Sequence, residues 1–203
     1  NKQIEVFDEK EASKKWESYF KLVDIKDNSN YKKLFYTALM FAIKKPYIYD
    51  ENDVYDFATM WDIYKTLLPL IFLLYKKEAS IIANNFLKMV NENGQFYHVR
   101  LFSSNKPYLS DQAICLMNIA LSTAALYGVK FDLKKAKELQ KREIEYYLKH
   151  LNQLDRTTYL LDLADAIVAY YNAYHIDLGL DKAKQLINNK GKRLELVVET
   201  EHI

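Results

Sequence analysis

The densest chemistry in the sequence is the run Trp61-Asp62-Ile63-Tyr64-Lys65. A pyranose or similar polyol has hydroxyls around its edge and apolar C–H faces. An indole beside a carboxylate acceptor suits both. The same pair also suits a core aromatic followed by a first-turn acid that the helix dipole favours, so both readings stand. Upstream, Tyr47, Tyr49, Asp50, Asp53, Tyr55 and Asp56 form an aromatic-acidic loop. Loops held on rigid helices often carry function, and a solvated connector is the alternative. The loop lacks the Gly and terminal Glu of a calcium-binding EF-hand.

Further along, His98 and Arg100 lie in a second loop, Gln95 to Leu109, and suit a hydroxyl or carboxylate or an exposed polar turn. Asp111 opens the next helix, and Asp155, Arg156, Asp162 and Asp165 cluster near a later one. The four histidines, His98, His150, His175 and His202, are too scattered for a zinc motif. No Gly-rich phosphate loop and no Ser or Cys nucleophile motif is present. Glycoside hydrolysis uses two carboxylates, roughly 6.5–9.5 Å apart for inversion. Acids are plentiful, but no motif marks a pair, so no catalytic residue is named.

Periodicity places these groups on helices. A first helix follows Asp8-Glu9-Lys10-Glu11, with Trp16, Tyr19, Phe20 and Val23 on its apolar face. A second is predicted over Tyr31 to Lys44, before Pro46. A third covers Ala58 to Tyr75, with Pro69 kinking it. A fourth runs from Glu78 to Asn93 and stops at Gly94. Ser110 is expected to cap a fifth that ends at Gly128, and Asp132 a sixth to Leu151. The seventh spans Asp155 to His175, and a short eighth Asp181 to Asn189. The tail, 191–203, reads as a short strand. The third, fifth and seventh are apolar around much of their circumference and the sixth is amphipathic, which predicts an inner and an outer layer. The expected fold is therefore all-α: antiparallel helical hairpins in two layers over residues 1–190, joined by short connections.

Composition agrees. Half of the 203 residues are hydrophobic, while only 4 are Gly and 3 Pro, too few turn formers for an all-β chain. The net charge of +2 is spread along the sequence, which argues against a nucleic-acid footprint. The longest apolar run, Leu67 to Tyr75, is interrupted by Pro69 and is far short of the ~20 residues a membrane span needs. The single cysteine, Cys115, reads as a small core residue and excludes an internal disulfide.

The segment Trp61-Asp62-Ile63-Tyr64-Lys65-Thr66-Leu67-Leu68-Pro69-Leu70 resembles the Trp-Asp-Thr-Tyr-Arg-Thr-Leu-His-Pro-Leu stretch of the calcium-dependent exo-α-mannosidase family of glycoside hydrolases. Phe35-Tyr36-Thr37-Ala38-Leu39 is similar to an upstream element of that family, and Trp16, Pro46 and Asp50 fall at matching places. Asn93-Gly94-Gln95-Phe96, Asp111-Gln112-Ala113, Phe131-Asp132 and Arg156-Thr157 resemble later ones in the same order. The departures are Lys65 for an Arg, Leu68 for a His, and Tyr97 and His98 near the place of a Pro-x-Trp. The lysine cannot reproduce a planar bidentate clamp.

The resemblance implies the first part of an (α/α) toroid and a mannoside-binding cleft at Trp61, Asp62, Tyr64, Lys65, His98, Asp111 and Arg156. It further implies that the family's acid and base carboxylates and calcium ligands lie beyond these residues. A second segment or subunit is then expected to complete the toroid, with calcium entering only by resemblance. The competing expectation is a non-catalytic helical interaction module.

Overall fold

Pro69 sets the first departure from a simple helical pattern in the computed structural model, which describes residues 9–26, 30–56, 60–101, 103, 106–109, 113–154 and 156–188. The expected single third helix is two, α3 (Met60–Ile63) and α4 (Leu67–Leu74), separated by a turn. Proline has no N–H to give the carbonyl four residues back, and its ring clashes with that carbonyl. Restarting the helix at Leu67 puts Pro69 in the first turn, where no N–H partner is required. The Thr66 hydroxyl donates to the Asp62 carbonyl at 2.6 Å and closes the break.

The chain divides into two compact units, Asn1–Lys45 and Pro46–Ile203. The first holds α1 (Glu9–Phe20) and α2 (Asn30–Ala42). Their shared cluster is aromatic: the Trp16 and Phe20 rings stack at 5.8 Å, and Phe20 meets Tyr36 at 5.1 Å. The Tyr36 hydroxyl donates to the Val23 carbonyl at 2.6 Å.

The second unit opens with a small antiparallel hairpin, β1 (Tyr47–Ile48) and β2 (Val54–Tyr55), inside the expected aromatic-acidic loop. Asp50 closes its turn by accepting the N–H groups of Asn52 and Asp53. The second loop docks onto it. Arg100 pairs with Asp53 at 2.8 Å and lies over the Tyr55 ring, 4.2 Å from its centroid. Arg100 thus has a structural job, the attachment of one loop to the other.

After α4 come α5 (Lys76–Phe86), α6 (Leu116–Leu126), α7 (Leu133–Lys149), a short 3-10 turn (Leu151–Gln153), α8 (Thr157–Tyr174) and α9 (residues 180–188). α5 ends at Phe86, earlier than its periodicity predicts, because the chain turns to form the Val90–Phe96 bridge. α6 starts at Leu116, after Cys115 adopts left-handed backbone (φ 56°). Gly128 (φ 66°) ends it, with the Val129 N–H returning to the Ala124 carbonyl. Asp132 caps α7 by accepting the Lys135 N–H at 2.9 Å, as expected. The last helix is started by Asp177, whose side chain accepts the N–H groups of Gly179 and Leu180, rather than by Asp181. The expected cap Ser110 and the expected strand at 191–203 lie outside the described residues.

The two-layer expectation holds within this unit. α6 and α8 pack most extensively against one another, and α6 is buried along most of its length. α7 buries one stripe, Ala136, Gln140, Glu143, Ile144 and Tyr147. Two of those five are polar, and they hold the layers together. Gln140 Nε2 donates to Ser122 Oγ at 2.7 Å and to the Asn118 carbonyl at 2.8 Å, and Gln140 Oε1 accepts the Tyr174 hydroxyl at 2.8 Å. Glu143 Oε1 accepts the Phe96 N–H at 2.9 Å and so anchors the second loop.

Candidate functional site

The break before Pro69 places Tyr64 and Lys65 against α8. Trp61 and Asp62 stay on the surface, with Trp61 49% exposed. Ile63 turns inward, and Tyr64 packs on the cluster of Ile114, Leu163 and Ile167. Lys65 extends to α8, where its Nζ stands 2.5 Å from Asp165 Oδ2. That bond is the main reason the ammonium pKa is raised. Leu68, at the histidine position of the resembled motif, is fully buried in α4, where a titratable ring would lose its water.

Asp162 lies one helical turn before Asp165. Its Oδ2 accepts the Ile114 N–H at 3.2 Å. Burial raises its pKa to about 6; the hydrogen bond from Ile114 and the nearby Lys65 act in the opposite direction. Tyr64, Lys65, Asp162 and Asp165 come together across the α3–α4 turn and α8, and the exposed Trp61 and Asp62 directly precede them on α3; the six are called the shelf. It offers an exposed indole, a surface carboxylate, an ion pair and an acid that holds its proton up to mildly acidic pH.

His98 sits elsewhere. The expected polar loop residue is buried, only 1% exposed, and neither ring nitrogen has a hydrogen-bond partner. It lines a cavity of about 230 Å³ together with Gln95, Tyr147, His150 and Tyr159. Arg156 is at the start of α8 and stacks over Tyr159, 5.6 Å from the ring centroid. The expected site residues thus separate: Trp61, Asp62, Tyr64 and Lys65 follow one another on the shelf, His98 lines the cavity, and Arg156 does not line it but stacks on its wall residue Tyr159. Ile114 connects them, since its N–H serves Asp162 and it also lines the cavity. Asp111, the remaining candidate, lies outside the described residues.

Sequence reasoning did not single out Gln95, Tyr147, His150 or Tyr159. The available signal was the pair of polar residues, Gln140 and Glu143, inside the buried stripe of α7, a mark of an interior polar network. Among the described residues no group of three or more His, Cys, Asp or Glu is placed to hold a metal. No step is routed through the calcium ion that enters by resemblance. No helix among them is long and apolar enough to cross a membrane.

The described residues are mostly helical, with one two-stranded hairpin. The chain belongs to glycosyl hydrolase family 92: a model of the Glycosyl hydrolase family 92 catalytic domain matches residues 5–174, and the (α/α) toroid follows from that match. The match begins before α1 and ends with α8, so it takes in the shelf and all the described lining of the cavity. A search of curated proteins and a search of solved structures each found no match.

Proposed function

We propose that this glycoside-hydrolase-like domain recognises a terminal mannoside at the shelf, and that carboxylates from another segment or subunit complete it for hydrolysis. The observation that carries the reading is the exposed Trp61-Asp62 pair beside the Lys65–Asp165 bridge. The Trp61 ring supplies a platform for the apolar face of a sugar, and Asp62 accepts from its hydroxyls. The Lys65 ammonium holds Asp165 in place as a second acceptor. Lysine does this as a point charge, without the planar fork of an arginine. No described acid is assigned the role of acid, base or nucleophile.

One observation favours a second reading, a non-catalytic helical module. The ammonium of Lys65 is already satisfied by Asp165, so the shelf is partly closed on itself. Titration with methyl α-mannoside and an aryl α-mannoside, with and without calcium, separates the two. Saturable binding that Trp61→Ala abolishes supports the mannoside site. Release of the aryl group as well would place the hydrolytic carboxylates within these residues and sink the need for a second segment. No binding under any condition would leave the interaction module.

A further inference from the structure

Residues 89–97 fold back on themselves through the Val90–Phe96 bridge. The Asn91 N–H donates to the Gln95 carbonyl and the Tyr97 N–H to the Met89 carbonyl, both at 2.9 Å. Three side chains of α7 attach this hairpin. Arg142 Nη2 reaches the Glu92 carbonyl at 3.5 Å, Glu143 Oε1 accepts the Phe96 N–H at 2.9 Å, and the Tyr147 hydroxyl accepts Gln95 Nε2 at 2.9 Å. The arginine bond is long and exposed. The central bond, between Glu143 and Phe96, joins two fully buried residues.

Glu143 uses only one of its two oxygens. Oε2 is buried and has no hydrogen-bond partner. A neutral carboxyl can be held that way, whereas a buried carboxylate needs several donors or a counter-ion. The groups that face it among the described residues are the Phe96 N–H from the hairpin, Asn118 and the Cys115 thiol from α6, and Tyr147 one turn along α7. None of them is a cation. From α8, Asp162 acts on the thiol. Burial holds the proton on Glu143 to about pH 8. Cys115 is itself fully buried and has left-handed backbone, φ 56°, which a residue other than glycine keeps only while its neighbours hold it. Burial pushes the thiol well above its ordinary range, and Glu143 adds to that.

We propose that Glu143 is a proton-operated latch: protonated, it keeps the hairpin 89–97 docked on α7, and ionised, it lets the hairpin lift, which admits water and uncovers the Cys115 thiol. Ionisation strengthens the single bond from Phe96 but leaves charge on Oε2 with no donor. That oxygen is hydrated only if one of the walls around it gives way. α6 is buried along most of its length and packs most extensively against α8, so it stays. The hairpin is the weaker wall, with Glu92 and Asn93 of its turn exposed. The switch needs nothing but the proton, which passes to solvent. It does not rest on the mannoside reading, since no residue of the shelf bonds to Glu143 or to the hairpin's three attachments.

The chain has one cysteine, so a chromogenic aryl disulfide reports on Cys115 alone. Its labelling rate, divided by that of free N-acetylcysteine at the same pH, is expected to rise about tenfold from pH 7 to 9, as the ionised fraction of a group near 8 does. Glu143→Gln keeps an acceptor for the Phe96 N–H and cannot ionise, so its ratio should stay flat. Amide exchange of the wild-type chain, corrected for intrinsic rates, gives a readout that needs no variant. Phe96 and Tyr97 should lose protection over the same interval while Leu121 and Ala124 of α6 keep theirs. A wild-type labelling ratio that does not change with pH would overturn the proposal, as would a rise undiminished in Glu143→Gln. Loss of α6 protection in step with Phe96 would show global unfolding in place of a latch, and overturn it equally.

Discussion

Lys65 and Asp165 stand a hundred positions apart in sequence and 2.5 Å apart in space, nitrogen to oxygen. The pair ties the turn between α3 and α4 to the middle of α8. Both side chains are about half exposed, at 56% and 45%. Bridges of that exposure contribute little to stability, up to about 1 kcal/mol. Lys65→Met is therefore expected to shift the urea midpoint only slightly, yet to remove most affinity for methyl α-mannoside. A large loss of stability with affinity retained would show that the pair is a structural strut and no part of a sugar site.

Trp61 follows the same logic from the opposite side. A half-exposed surface residue is usually within about 0.5 kcal/mol of neutral when replaced. Trp61→Ala should thus leave thermal unfolding almost unchanged and cost at least tenfold in mannoside affinity. Calorimetric titration alongside a melting curve decides it, and a strongly destabilised variant would place the indole in the core instead.

Glu143 governs the response to alkali. It is fully buried, and burial raises its pKa from 4.5 to about 8, against the hydrogen bond that it accepts from the Phe96 N–H and the nearby polar groups of Asn118 and Cys115. The native state binds this proton more tightly than the unfolded chain does. The associated stability is complete below about 4.5 and is lost as pH rises through 8. Asp162 acts in the same direction between 3.8 and about 6. His98 acts in the opposite direction, adding stability as pH climbs from about 4 to 6.5. Above 6.5 Glu143 is unopposed by the histidine, so urea midpoints should fall steadily between pH 6.5 and 8. Glu143→Gln should flatten that slope, and an unaltered slope in the variant would refute the assignment.

Gln140 is the joint between layers. Replacing it by Leu strands the Tyr174 hydroxyl and the Ser122 and Asn118 groups, all now paired with its amide. Unsatisfied buried groups cost ~1–3 kcal/mol each, so a loss of about 3 kcal/mol is expected in chemical denaturation. A neutral result would mean that water replaces the amide.

Among the described glycines, Gly94 is the one where a side chain meets both obstacles at once. Its φ is +86°, and a Cβ there would approach Arg142 Nε to 3.1 Å. Gly94→Ala should cost about 1 kcal/mol or more through backbone strain, because the guanidinium can yield but the dihedral cannot. Equilibrium unfolding with Arg142→Ala in the background separates the two contributions, and full recovery in the double variant would assign the cost to contact alone.

The helical class, most helix positions and the family resemblance were legible in the chain. Apolar spacing marks α6, α7 and α8 because each buries a continuous stripe, and Asp132 caps α7 because a short side-chain oxygen reaches a free N–H three residues on. The Trp61-Asp62-x-Tyr64 group could be read as a unit because its members are neighbours on one short segment. These are local relationships, set by bond geometry over a few residues.

What the chain alone did not decide depends on distance in sequence. Pro69 announced a kink, but whether the helix bends or breaks was settled by packing against the rest of the unit. His98 looked like a surface residue because loop composition is polar; it is interior because Phe96, two residues before it, is drawn in by Glu143 of α7. Arg100 looked available for a ligand, and Asp53 takes it. Lys65 met Asp165, and His98 came to line the same cavity as His150, only once α7 and α8 had folded back. Sequence determined which residues carry charge, rings and hydrogen-bonding groups. Tertiary structure decided which of them satisfy one another and which are left to face a ligand, because burial and pairing are properties of neighbours in space.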